Sequence, residues 1–247
     1  MRRQPLVWNN ELLNRKWKQA MEKYEHTEEN EVTVPERMAC IDHPKKERLV
    51  TGMFYKYSMI LPLLPAGGRV LDACAGSGFG ASLIAESGYD VTAMDPILTW
   101  AKYRDNITLA ETNIIDFEPE DGELFDGITM IDAIEHLKAG TQIAALQNMY
   151  KWLKPGGWFL IDTPRVKNSG YQSMYHPSCL NWDDLLVRVQ AAGEWSELQR
   201  YLLSFEYPLI GGSGYTVCQR ILQDGEPEWT KGAHGQDQII IARKKGE

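Results

Sequence analysis

Two stretches of the chain hold the side chains best able to do chemistry. The first runs RVLDACAGSGFGASLIAESGYDVTAMDP, from Arg69 to Pro96. An apolar run delivers Asp72 and breaks into Cys74-Ala75-Gly76-Ser77-Gly78-Phe79-Gly80. A helical stretch follows to about Ser87, Gly88 stops it, and a short strand from Asp90 ends on Asp95. Glycines let a backbone approach a ligand closely. The helix N-terminus offers unused N–H groups. An acid closing the second strand accepts two ribose hydroxyls. In doubly wound folds such a unit binds a nucleotide-like ligand at the carboxyl ends of the strands. The spacing is GxGxG, not the GxGxxG of a dinucleotide site. Asp95 lies 19 positions after Gly76, which suits a ribose contact in either class.

The second stretch is Asp132-Ala133-Ile134-Glu135-His136, at the end of the apolar run that begins at Phe125. If a helix starts near Asp132, positions i, i+3 and i+4 share one face. Two carboxylates and an imidazole then stand together. His176 lies in the polar loop over 163–181 and is a further candidate. Two chemistries are open. Glu135, His136 and His176 are candidates to take a proton from an acceptor. Alternatively, the oxygen and imidazole donors hold Mg²⁺, Mn²⁺ or Zn²⁺. The metal is the less favoured of the two.

VLDACAGSGFG resembles motif I of the class I S-adenosylmethionine-dependent methyltransferases, with Cys74 where that motif usually carries Gly. LKPGGWFLIDTP, from Leu153 to Pro164, resembles the post-helix motif of the same family. The resemblance covers roughly 67–244, with its motifs in the right order. The D-x-x-E-H pattern is similar to the E-x-x-E-H of metal-dependent O-methyltransferase branches, among them small-RNA 2′-O-methyltransferases and ubiquinone-pathway enzymes. Within the family the chain resembles the small-molecule O- or C-methyltransferases of the ubiquinone type. The resemblance implies S-adenosylmethionine as cofactor, with Asp72, Ala73, Cys74, Gly76, Ser77 and Gly78 as its loop. It implies ribose at Asp95 and Pro96, adenine at Ile115 and Asp116, and the methionine end at Asp132 and Ala133. It implies methyl transfer to a small-molecule or sugar hydroxyl. An acceptor in protein or nucleic acid, and an inactive scaffold of the same fold, remain open. A nicotinamide-dependent reductase is disfavoured by GxGxG and by the lack of a suitably placed Tyr-x-x-x-Lys.

The elements that must position these groups alternate strand and helix, which implies a parallel sheet. The expected fold is α/β and Rossmann-like. It has seven strands, mostly parallel, with an antiparallel last hairpin and helices on both faces. Strands are expected at 70–72, 90–94, 107–109, 125–132, 158–162, 198–206 and 238–243. Helices are expected over 1–30, 47–64, 81–87, 97–104 and 141–153, and from an Asn181 cap to about Ala192, where Gly193 ends it. Val32 to Pro35 reads as extended. Residues 1–65 form an N-terminal helical extension or cap, and 66–247 the cofactor-binding domain. Residues 207–237 read as an irregular Gly-rich insertion, longer than typical connections. Its roles would be a lid, a substrate-facing loop or a dimer contact, so a homodimer is left open.

Bulk properties narrow the field. At 247 residues the chain suits one large domain. No apolar run approaches the ~20 residues of a membrane span, and MRRQPLVWNNELL lacks the apolar core of a signal peptide. A net charge of −8 argues against long nucleic-acid backbones. Cys40, Cys74, Cys179 and Cys218 are scattered, which fits a reducing cytoplasm and no cysteine zinc site.

Overall fold

The computed structural model describes residues 46–76, 78–96, 106–165, 178–206, 215–222, 225–228 and 233–246. The helices expected over 1–30 and 97–104, the extended segment at 32–35, Ser77 and His176 lie outside the described residues.

Chain order is α1 (Lys46–Ser58), a 3-10 turn (Leu61–Leu63), β1 (Arg69–Ala73), α2 (Phe79–Glu86), β2 (Asp90–Asp95) and β3 (Ile107–Glu111). Then follow β4 (Phe125–Ile131), a 3-10 turn (Ile134–His136), α3 (Ala139–Trp152), β5 (Leu153–Pro164) and α4 (Trp182–Ala192). The chain closes with β6 (Trp195–Glu206), β7 (Tyr215–Ile221) and β8 (Ala233–Lys244).

The sheet order is β3-β2-β1-β4-β5-β8-β6-β7. The pairs from β3 through β5 are parallel; β8 runs antiparallel to β5 and β6, and β7 antiparallel to β6. The chain moves outward from β1 to β3 and returns to β4 beside β1, so a topological switch point lies between β1 and β4. Strands buried on both faces read as near-continuous apolar runs. That is why Val70-Leu71, Met130-Ile131, Phe159-Leu160-Ile161 and Ile239-Ile240-Ile241 are all buried. Leu71, Met130, Ile161 and Ile240 pack with Leu146, Met149, Trp152 and Leu185 of α3 and α4. Val70, Ile131, Leu160 and Ile239 pack with Phe54, Tyr57, Leu83 and Ile84 of α1 and α2.

Four expectations are corrected. There are eight strands among the described residues, not seven, because Tyr215–Ile221 lies inside the supposed irregular insertion. Its β-branched and aromatic residues find pairing partners along the edge of β6, from Glu206↔Tyr215 to Arg200↔Ile221. The following strand also starts earlier than expected, at Ala233. The α1 helix ends at Ser58, and a 3-10 turn takes over before Pro65. No α-helix starts near Asp132: φ is +46° there, and a 3-10 turn follows.

Candidate functional site

The carboxyl ends of β1, β2 and β4 meet at the switch point, where doubly wound sheets bind their ligands. Two non-glycine residues there adopt left-handed backbone, Cys74 (φ 62°) after β1 and Asp132 (φ 46°) after β4. No other described non-glycine residue does so, and these two flank the switch point. Such conformations cost about 1–3 kcal/mol each and gather at functional sites.

The loop after β1 is laced to the end of β2. Ala75 N–H donates to the Met94 carbonyl at 2.9 Å, and Gly76 N–H donates to Asp95 Oδ2 at 3.0 Å. Gly78 N–H donates to the Ala75 carbonyl at 2.8 Å. Gly76 and Gly78 have φ of +54° and +74°, and a Cβ on Gly76 would meet nothing nearer than the Cys74 carbonyl at 4.0 Å. The loop therefore leaves open space on the Gly76 side. Asp95 itself is buried, and Pro96 beside it is exposed. The third glycine serves packing. A Cβ on Gly80 would sit 1.9 Å from the Tyr57 ring of α1.

Asp72 lies beneath the loop. Its Oδ1 accepts from Thr129 Oγ1 at 2.8 Å, across the register pair that joins β1 to β4. Tyr57 Oη donates to its Oδ2 at 3.5 Å. Burial pushes its carboxyl up to about 7, against the pull of the Thr129 and Tyr57 hydrogen bonds. It anchors α1, β1 and β4 under the crevice. Ala73 is likewise buried.

After β3, Asn113 organises a tight turn. Its Oδ1 accepts from Ile115 N–H at 2.9 Å and from Asp116 N–H at 3.1 Å, and its Nδ2 donates to Asp116 Oδ2 at 2.6 Å. Ile114 turns inward, while Ile115 is 41% exposed and Asp116 is exposed. An open aliphatic face beside an acceptor suits the edge and plane of a purine.

The turn after β4 separates the residues expected on one helical face. Glu135 Oε2 turns inward and accepts from Thr163 Oγ1 at 2.8 Å. Burial, aided by the Asp132 charge, pushes Glu135 up to about 8. His136 is exposed, and Ala133 is buried. Asp132 points elsewhere: its Oδ2 accepts from Lys56 Nζ at 2.8 Å. The described acids that converge closely are Asp132, Asp162 and Asp237, with oxygens within 4.8 Å of one another. The Lys56 ammonium of α1 sits among them, 2.6 Å from Asp162 Oδ1 and 2.9 Å from Asp237 Oδ2. Asp132, Glu135 and His136 are thus not brought together as one ligand set.

Lys56, Asp162, Asp237 and Tyr57 were not singled out from sequence. The signal was present as a lone Lys in FYKYSMI and a lone Asp in WFLIDTP. A charge inside an apolar run is buried only with a partner. The partners here are 106 and 76 positions apart, so the run alone does not name them.

The family described as "Methyltransferase domain" matches residues 48–208. No curated protein matches the chain in sequence. Solved structures of the same fold include the Burkholderia thailandensis 1,6-didemethyltoxoflavin-N1-methyltransferase with bound 1,6-didemethyltoxoflavin and S-adenosylhomocysteine. It is 18% identical with a TM-score of 0.59, covering 98% of this chain and 93% of that one. A SAM-dependent methyltransferase from Archaeoglobus fulgidus is 16% identical with a TM-score of 0.60, over 80% of this chain and 94% of that one. The N-methyltransferase NodS from Bradyrhizobium japonicum WM9 is 18% identical with a TM-score of 0.51, over 83% and 98%. At these identities the likeness is one of fold.

Proposed function

The chain belongs to the methyltransferase-domain family, and we propose from that premise that its switch-point crevice binds S-adenosylmethionine and delivers the methyl group to a small-molecule hydroxyl. The observation that carries the reading is the paired loop and acid: Gly76 N–H held on Asp95 Oδ2, with open space over the glycine. The ribose hydroxyls go to Asp95, and the adenine to the Ile115 face with Asp116 at its edge. Ala73, Cys74, Gly76, Ser77 and Gly78 form the loop around the cofactor, Pro96 borders the ribose, and Ala133 lies at the methionine end. Asp72 supports the loop from below.

S-adenosylmethionine supplies a methyl already activated by its sulfonium. The protein's task is to align the acceptor lone pair with the carbon–sulfur bond, and much of the acceleration comes from positioning. The acceptor oxygen forms the new bond to carbon, the bonding pair leaves with sulfur, and the hydroxyl proton goes to a base. His136, exposed on the turn after β4, is the base on this reading, with His176 as a second candidate. Glu135 stays protonated behind it at neutral pH and keeps the turn in place through Thr163.

The test uses labelled S-adenosylmethionine with two panels of small acceptors, sugars and phenols in one and amines in the other. Label in the hydroxyl panel is expected. Label confined to amines overturns the acceptor assignment. Calorimetry with S-adenosylhomocysteine and with NADH checks the cofactor, and binding of NADH alone overturns it.

A further inference from the structure

We propose that Gln142 is a positioning residue for the reaction: its buried side-chain amide holds the turn that carries His136 and ties that turn to the segment leading into α4. The proposal rests on the reading of His136 as the base.

His136 is the exposed residue of a buried turn. Ala133, Ile134 and Glu135 are buried, and His136 stands in the open. The turn closes on itself by two backbone bonds. His136 N–H donates to the Ala133 carbonyl and Leu137 N–H to the Ile134 carbonyl, each at 3.1 Å. Two such bonds make a weak frame, because the hydrogen-bond geometry of a 3-10 turn is poor. What steadies it reaches it from outside. Thr163 Oγ1 takes the Glu135 side chain, and Ser178 N–H donates to the Glu135 carbonyl at 3.3 Å.

Gln142 supplies the remaining ties. It lies in the first turn of α3 and is fully buried. Its Nε2 donates to the Ile134 carbonyl at 2.9 Å and, more loosely, to the Leu137 carbonyl at 3.4 Å. Those two residues bracket Glu135 and His136 in the chain. The same nitrogen donates to the Ser178 carbonyl at 3.0 Å, 36 positions away. One amide thus serves both segments that meet at the turn.

The arrangement carries a cost. A fully buried helix position is ordinarily apolar. Gln142 Oε1 is sealed from solvent with no hydrogen-bond partner, and a buried acceptor left unpaired is destabilising. Turning the amide over gives no relief, because the oxygen would then face three carbonyl oxygens. The unpaired oxygen is the consequence of aiming the nitrogen at the turn. A base must stand within hydrogen-bond reach of the proton it takes, and a misplacement of about 1 Å can cost about 10²-fold in rate. Without the amide the turn shifts, and the imidazole shifts with it.

The experiment is a double-mutant cycle on the full chain with labelled S-adenosylmethionine, read on whichever sugar or phenol of the hydroxyl panel the wild-type chain labels fastest. Gln142→Met keeps the volume and removes the amide. It lowers kcat by about tenfold or more. The acceptor KM, and S-adenosylhomocysteine affinity by calorimetry, stay within about threefold. His136→Ala lowers kcat by about 10²–10⁴-fold. Adding Gln142→Met to His136→Ala lowers it by less than about threefold further, because a misplaced base and a missing one are the same loss. A full further loss in the double variant makes Gln142 a structural residue only and overturns the proposal. An unchanged kcat in Gln142→Met overturns it too, as does an equal fall in S-adenosylhomocysteine affinity. Gln142→Asn, whose amide is one methylene shorter, goes through the same cycle and decides the matter if Gln142→Met does not fold. A wild-type chain that labels no hydroxyl, or a His136→Ala variant that loses nothing, overturns the reading of His136 as the base, a different result from either.

Discussion

Gly80 carries no side chain because the Tyr57 ring fills the place where its Cβ would sit. The glycine and the tyrosine form one joint between α1 and α2, directly above Asp72. Gly80→Ala forces the ring aside in a packed interior, and such overpacking costs about 1–3 kcal/mol. Urea denaturation should show a lower midpoint with an unchanged slope. Asp95 is the other residue on which much depends. Its carboxylate already orders the loop through Gly76 N–H, and on the proposed reading it also grips the ribose. Asp95→Ala should weaken S-adenosylhomocysteine binding by more than about tenfold, through lost charge-assisted hydrogen bonds. Titration calorimetry reads the loss directly, and undiminished affinity would remove Asp95 from the ribose.

At the scale of elements, the turn after β4 trades helix for a buried acid. Glu135 takes a folded-state value of about 8 because burial penalises its charged form. The folded chain therefore holds a proton that the unfolded chain gives up from about pH 4.5, the ordinary Glu range. Stability from this group is full below that point and drains away as pH rises to about 8, by at most about 1.4 kcal/mol per unit. Glu135→Gln keeps an acceptor for Thr163 Oγ1 and has no proton to lose. It should flatten the stability profile between pH 5 and pH 8 relative to wild type, as measured by urea denaturation at each pH. The α4 helix starts on Asn181, whose Oδ1 accepts from Asp183 N–H at 3.0 Å and Asp184 N–H at 2.8 Å. Asn181→Ala should cost about 1 kcal/mol, the usual value of such a cap.

The same scale shows what the sequence could reveal. β1, its loop, α2 and β2 were legible because every signal is local: an apolar run, glycines at fixed spacing, an acid at a strand end. The Asn181 cap was legible for the same reason. β7 was not, because its glycine-rich flank reads as loop and its strand exists through pairing with β6. The helix considered from Asp132 is absent: φ is +46° there, and the carboxylate pairs with Lys56, 76 positions earlier, which no local pattern announces. The buried nest escaped for this reason too. Its four members come from α1, the turn after β4, β5 and β8, and only the folded sheet brings them together.

For the molecule as a whole, topology makes the C-terminal strand an interior one. β8 lies between β5 and β6 and supplies Ile239, Ile240 and Ile241 to the two cores and Asp237 to Lys56. A chain ended before Ala233 would strip both neighbours of their partner and leave Lys56 without one of its three carboxylates. It should lose cooperative thermal unfolding by circular dichroism, whereas a dispensable tail would leave the transition intact. No helix among the described residues is long and apolar enough to cross a membrane.

A crystal structure of the chain with S-adenosylhomocysteine tests the central claim most directly. The account predicts both ribose hydroxyls on the Asp95 carboxylate, at about 2.5–3.0 Å as for ordinary O–H···O bonds, with the adenine against Ile115. A ligand bound elsewhere, or one whose ribose makes no hydrogen bond to Asp95, would contradict it.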